Sequence, residues 1–284
     1  MTQTQTQTQP RAPTWSSVLP LLQCVACGGP IETRGEEGFA CGQCGRAYPM
    51  REGFLDTMDQ LDGNNKVAAD FYDGPLWPRF RFWEHFTFFF QGGARRARRK
   101  VMKHLPNLSG TRLLEVAIGD GSNMPLIPPD CEVFGNDISI AQLRDCRRKH
   151  GDRNVRLLLG EAESLPFRDN TFDNVLSFGA FNYFSDPVKS LREMARVVKP
   201  EGLIVVSDEY PSLPNRMIFH KIGLPGVDRW IMSRFMKLGD KFTDMVDKYR
   251  DMKLEPIFAE ALEDFQIHPV WCKVGYVAVG RPKK

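Results

Sequence analysis

The chain has 284 residues, 42% hydrophobic and 26% charged. That balance fits a globular protein with a sizeable core and excludes a wholly disordered or collagen-like chain. Thirty-eight basic against 35 acidic residues leave a net charge of +3, too small for a dedicated nucleic-acid binder, and no apolar run approaches the ~18–20 residues that span a bilayer. The opening MTQTQTQTQPRAPTW lacks a basic patch followed by an apolar stretch, so no secretory signal is predicted and the expected location is cytoplasmic. The Thr-Gln repeat and the Pro and Ser after it predict a disordered tail over 1–19.

Residues 20–57 are rich in Gly and Cys and hold few apolar side chains, too few for a core without a staple. Four of the seven cysteines fall here as two CxxC pairs, Cys24/Cys27 and Cys41/Cys44. In a reducing compartment this spacing reads as a four-thiolate zinc site, structural because four protein ligands leave no open position. With Gly45-Arg46-x-Tyr48-Pro49 and Arg51-Glu52-Gly53 before Phe54-Leu55, the segment resembles the small zinc ribbon that occurs alone as an activator of RNA and protein methyltransferases. Residues 58–107 predict a helical, aromatic-rich cap. Trp77, Phe80, Phe82, Trp83, Phe86, Phe88, Phe89 and Phe90 crowd one short stretch, and the basic run Arg95, Arg96, Arg98, Arg99, Lys100 follows, expected to be a solvated helix surface.

From 108 to 284 the pattern alternates. Short β-type runs at 112–116, 132–136, 155–159, 174–178 and 203–207 are separated by helical stretches such as 140–150 and 187–198. This predicts an α/β fold with a parallel sheet and helices on both faces. Two last runs, 265–271 and 273–279, are joined so tightly that they must form an antiparallel hairpin. The loop after the first run, LLEVAIGDGSN, carries Gly119 and Gly121, which let the backbone turn sharply and let a ligand approach. Asp137, at the tip of the next run and 22 positions beyond Glu115, suits the two hydroxyls of a ribose.

Together with GEAESLPFRDNTFDNVLS (160–177) and LREMARVVKPEGLIVVSD (191–208), this set resembles the class I S-adenosylmethionine (SAM)-dependent methyltransferases, nearest to the ubiquinone/menaquinone-biosynthesis branch. The resemblance implies a Rossmann-like seven-stranded sheet. It implies that Glu115, Ala117, Gly119 and Gly121 hold the amino-acid end of SAM, and that Asp137 binds the ribose with Ile138 on the adenine. Glu161 and the Ala162 amide would meet the adenine edge, Ser177 would line the floor, and Tyr72 would close over the cofactor. Three sites depart from the pattern, and one of them is the adenine acid, Glu161 where the family more often has Asp. Ala117 replaces the first glycine of the loop, tolerable as long as φ is not positive there. Asn182-Tyr183 stands where the family often has His or Glu-His.

Residues 209–250 follow the fifth run and are too long for a plain connection. With 77–90 they are expected to form an apolar helical lid over the methyl-transfer site. Base candidates near the strand tips are Tyr183, Glu209 and His220, with Asp208, His268 and His85 behind them. The expected function is methyl transfer from SAM to O or C of an apolar or aromatic small molecule, and a homodimer is compatible with it. The alternatives are a zinc-ribbon rRNA or tRNA base methyltransferase, and a SAM-fold cyclase or regulatory protein that transfers no methyl group.

Overall fold

The computed structural model describes residues 15–35, 38–89, 92–212, 222–235 and 239–283. Among them, eleven strands form one sheet in the order β1-β2-β3-β4-β7-β6-β5-β8-β9-β11-β10. The expected apolar runs become β5 (Arg112–Val116), β6 (Glu132–Asp137), β7 (Val155–Leu159), β8 (Phe172–Phe178) and β9 (Val198–Glu209). These five are parallel, with β5 central between β6 and β8. The last two, β10 (Leu262–Val270) and β11 (Gly275–Pro282), pair antiparallel, and β11 inserts beside β9. The seven strands β5 to β11 thus form the α/β sheet expected from the alternation, in the Rossmann-like seven-stranded form that the resemblance implies.

Both faces of this sheet are buried, and the pleat sorts the side chains between them. On one face Leu114, Val116, Val175, Ile204, Val206 and Ala278 pack with Leu191 and Met194 of α5 (Pro187–Val197). On the other, Leu113, Leu176, Val205 and Val277 pack with Leu143 of α4 (Ile140–His150) and with Ala97 and Val101 of α3 (Ala94–Met102). Helices α4 and α5 start on side-chain caps, Ser139 accepting from the Gln142 N–H and Asp186 from the Lys189 N–H, which fixes where each leaves its loop.

The N-terminal strands β1 (Ile31–Arg34), β2 (Gly38–Cys41), β3 (Ala47–Arg51) and β4 (Phe54–Asp56) form an antiparallel ribbon. It is not a free-standing unit. β4 lies parallel to β7, Leu55 opposite Leu158 and Asp56 opposite Leu159, and the Thr57 N–H donates to the Leu159 carbonyl at 2.9 Å. The expected tail also ends early. Trp15–Leu21 form a 3-10 turn with Trp15 and Val18 buried, because the Trp15 ring packs edge-on against Phe134 of β6. Residues 1–14 lie outside the described residues.

Helices α1 (Gly63–Asp73) and α2 (Trp77–Phe89) join α3 in the cap. After β9 come a short α6 (Pro225–Trp230), α7 (Asp240–Tyr249) and α8 (Leu254–Ala261). Phe242 of α7 stacks on Phe71 of α1 with ring centroids 4.2 Å apart. No helix among the described residues is long and apolar enough to cross a membrane.

Candidate active site

A cleft of about 1150 Å³, mouth included, opens where β5, β6 and β8 end. In an open parallel sheet this is where neighbouring connections leave toward opposite faces and a crevice remains. The β5 loop supplies Glu115, Ala117, Gly119 and Asp120, the tip of β6 supplies Asn136, Asp137 and Ile138, and the β8 end supplies Phe178 and Gly179. Tyr72 and Asn65 of α1, Trp77, Arg81 and Phe88 of α2, and Ala94 and Arg98 of α3 also line it.

Glu115 is 1% exposed. One carboxylate oxygen accepts from Asn123 Nδ2 at 2.6 Å, whereas Oε2 is buried with no partner among the described residues. Burial lifts its carboxyl to about 7, against the Asn123 hydrogen bond and the nearby Arg98 charge. An orphaned carboxylate oxygen in a cleft is costly unless a ligand donor completes it. Asp137 is also buried, and burial lifts it to about 6. Its two oxygens accept from the Ser139 N–H at 2.9 Å and the Gly119 N–H at 2.8 Å, and the carboxylate keeps lone pairs for two further donors.

Gly119 and Gly121 both have positive φ, but they serve different ends. A Cβ at Gly119 would meet nothing closer than 3.8 Å; one at Gly121 would lie 2.7 Å from Cys146 Sγ and from the His150 ring. Gly121 therefore seats the loop against α4 and does not line the cleft. Ala117 has φ +59, so the condition under which alanine is harmless fails. A left-handed alanine costs about 1–2 kcal/mol, and glycine loses about 0.4–1 kcal/mol of that advantage through the unfolded chain. Ala117→Gly is expected to be neutral to about 1 kcal/mol stabilising in urea unfolding; a clear loss of stability would show that the Ala117 methyl is a needed packing contact.

Tyr72, Ile138 and Ala162 line the cleft. Glu161 and Ser177 do not. The Glu161 carboxylate accepts from Asn65 Nδ2 at 2.8 Å, which ties α1 to the loop after β7. Ser177 is fully buried, its hydroxyl without a partner among the described residues, and it is Phe178 and Gly179 after it that line the cleft.

The lid divides in two. From α2, Trp77, Arg81 and Phe88 reach the cleft. Phe80 instead packs on Phe71, and Phe82 and Phe89 face solvent; Phe90 and the side chains of Trp83 and Phe86 lie outside the described residues. None of the described residues in 209–250 lines the cleft. Phe242 and Met245 of α7 pack behind it, against Ala68 and Phe71, because the apolar stripe of α7 meets that of α1 first. Residues 213–221 and 236–238, His220 among them, lie outside the described residues, as does the His85 side chain. His268 stacks on His104 with centroids 5.1 Å apart, and neither lines the cleft.

Tyr183 lines the cleft and heads a polar cluster that sequence reasoning named only as scattered candidates. Asp208 is fully buried, accepting from the Asn182 N–H at 2.9 Å and the Glu209 N–H at 2.8 Å. Burial first, then the adjoining Glu209 carboxylate, push the Asp208 carboxyl well above the usual range. Burial and the same two carboxylates push the Tyr183 phenol well up, and its hydroxyl meets Glu209. Asn182 Nδ2 donates to the Glu209 carbonyl at 2.7 Å, and the Tyr276 hydroxyl donates to Asn182 Oδ1 at 3.3 Å.

In the ribbon, the sulfurs of Cys24, Cys27, Cys41 and Cys44 all lie within 4.8 Å of one another, with Cys24–Cys44 at 3.6 Å and Cys27–Cys41 at 3.5 Å. A zinc tetrahedron with Zn–S of about 2.3 Å has edges of about 3.8 Å. The Ala26 N–H and the Tyr48 hydroxyl donate to Cys24 Sγ, and the Gln43 and Cys44 N–H groups to Cys41 Sγ. Such donors suit thiolates, so the donor set fits a structural zinc.

Residues 114–206 match the family described as methyltransferase domain. The demethylmenaquinone methyltransferase of Renibacterium salmoninarum is 40% identical over 119 residues, 41% of this chain and 49% of that protein. Its counterpart from Staphylococcus aureus is 38% identical over 124 residues, 41% of this chain and 51% of that one. The chain thus spans about half the length of these relatives. A solved SAM-dependent methyltransferase from Thermotoga maritima superposes with a TM-score of 0.46 at 20% identity, covering 73% of this chain and all of that one. Over residues 114–206 the chain is thus similar to the methyltransferase domain family, and over 119 residues it resembles a demethylmenaquinone methyltransferase.

Proposed function

We propose that the protein transfers a methyl group from SAM to a carbon or oxygen of an apolar, aromatic small molecule of quinone type. The observation that carries this reading is that one cleft combines the acids Glu115 and Asp137 with a predominantly aromatic wall of Tyr72, Trp77, Phe88, Phe178, Tyr183 and Phe184. In this reading Asp137 accepts the ribose hydroxyls, the bare oxygen of Glu115 takes the methionine ammonium, and Ile138 and Ala162 flank the adenine. SAM supplies a methyl group already activated on a sulfonium, which leaves the protein alignment, water exclusion and, for an acidic acceptor, proton removal. The aromatic wall excludes water from the acceptor. A proton released at the Tyr183 oxygen passes, as that hydroxyl gives its own proton to Glu209, into the Asp208–Glu209 pair. On this relay Tyr183→Phe lowers kcat about 100-fold and leaves S-adenosylhomocysteine affinity unchanged. Unaltered kcat would remove Tyr183 from the chemistry.

The four ribbon cysteines hold one structural zinc, with no position open to a substrate. A reducing, cytoplasmic setting goes with this assignment, and none of the seven cysteines is paired in a disulfide.

The deciding experiment incubates the protein with methyl-labelled SAM and, in separate reactions, a reduced demethylated naphthoquinone and unmodified ribosomal RNA. Label in the quinol supports the proposal. Label in RNA overturns it in favour of a base methyltransferase, and SAM binding without label in any acceptor favours a non-methylating protein.

A further inference from the structure

We propose that Arg98 is a cofactor-binding residue that holds the α-carboxylate of SAM while Glu115 holds the α-ammonium, with Asn123 setting the two in place. The inference rests on the reading of the cleft as a SAM site and extends it to a residue that no motif marks.

Among the five cations of the run on α3, Arg98 is the one that lines the cleft. The helix phase explains this. Ala97 and Val101 are buried on one stripe, and Ala94 and Arg98, one turn apart, border it on the cleft side. The Arg98 guanidinium carbon lies 4.6 Å from the centre of the Phe178 ring, so the head group sits over an aromatic side chain that also lines the cleft. Its Nη1 donates to Asn123 Oδ1 at 3.0 Å, and Asn123 Nδ2 donates to Glu115 Oε1 at 2.6 Å.

One side-chain amide thus stands between a cation and an anion, its acceptor end toward the cation and its donor end toward the anion. An α-amino acid presents the complementary pair, an ammonium and a carboxylate separated by one carbon. The ammonium completes Glu115 Oε2, the buried oxygen that has no partner among the described residues. The carboxylate meets a planar guanidinium, which matches it in charge and in shape. Arg81 also lines the cleft but is bound to the buried carboxylate of Asp120, which Lys149 shares, so it serves to fasten α2 to the loop after β5.

Titration calorimetry tests the assignment with two ligands: S-adenosylhomocysteine, and 5′-methylthioadenosine, which keeps the adenosine and the thioether but lacks the amino-acid end. Arg98→Met keeps the stem and deletes the charge. It is expected to weaken S-adenosylhomocysteine about 10- to 100-fold, the worth of a charged hydrogen-bonded pair, and to leave methylthioadenosine within about twofold, which also reports an intact fold. Arg98→Lys, which keeps the charge and loses the fork, should fall between. Equal weakening of both ligands, or none of either, overturns the role of Arg98. If the wild-type protein binds neither ligand, the SAM reading of the cleft falls, and this proposal with it.

Discussion

Chelating the metal from the protein should unfold the ribbon and loosen the sheet beside it. Elemental analysis of protein purified without added metal should first find one zinc per chain. Free energies of about 10–16 kcal/mol attend zinc binding in small ribbon-like peptides, far more than the few buried side chains here, such as Tyr48, Phe39 and Ile31, can supply. Hydrogen exchange after chelation should lose protection in β1 to β4, and at the Thr57 N–H that bonds to the Leu159 carbonyl. Full protection of these amides in metal-free protein would show that the ribbon holds itself together, and the zinc assignment would fall.

Replacing Asp137 by alanine should weaken S-adenosylhomocysteine by about 1.5–3 kcal/mol, the cost of removing a charged acceptor from two hydroxyls. The same carboxylate gives the binding a pH signature. Burial lifts its folded-state pKa to about 6, so the free protein carries the anion above that pH and the neutral acid below it. Affinity should be full above about pH 7 and decline as the pH falls, first through Glu115, at about 7, and then through Asp137, at about 6. The stability of the ligand-free protein runs the other way. Both acids bind more protons folded than unfolded between their ordinary values and these raised ones, so unfolding free energy falls as the pH rises through that window. Calorimetric affinities between pH 5.5 and 8 check both the variant and the slope. A pH-independent affinity, or an unaffected Asp137→Ala, would remove Asp137 from the binding site.

The strands and the acids at their tips were legible because they are local. A five-residue apolar run that ends on Glu115-Val116 announces itself, and so does Asp137 closing the next. What was not legible depends on partners far off in the sequence. Nothing in Phe54-Leu55-Asp56 says that it will lie beside Leu158. Nothing in Gly121 distinguishes a ligand-contacting glycine from one pressed against Cys146 and His150. Glu161 reads as an adenine contact until Asn65, from a different helix, takes its carboxylate. The sign of φ at Ala117 is set by the loop as a whole, and the one-letter sequence shows only a small residue. Arg98 could have been found: the apolar pair Ala97 and Val101, four apart, fixes the phase of α3 and singles out the cation next to it.

The junction between β4 and β7 settles how the sheet guards itself against its own kind. A sheet that stopped at β7 would expose a row of unpaired peptide groups on a strand reading Val-Arg-Leu-Leu-Leu, a template for another chain to join. At the opposite border, β10 protects itself with a register shift between Glu263 and Gln266, with Asp264, and with Pro269. At β7 no such gatekeeping residues are present beyond Arg156, and the ribbon protects it instead, β4 pairing along its edge. The outermost strand that results, β1, is four residues long and carries Glu32, Thr33 and Arg34 toward solvent. Four cysteines that line no part of the cleft therefore decide whether the edge of β7, when the protein is starved of metal, stays covered or opens to pairing with another chain.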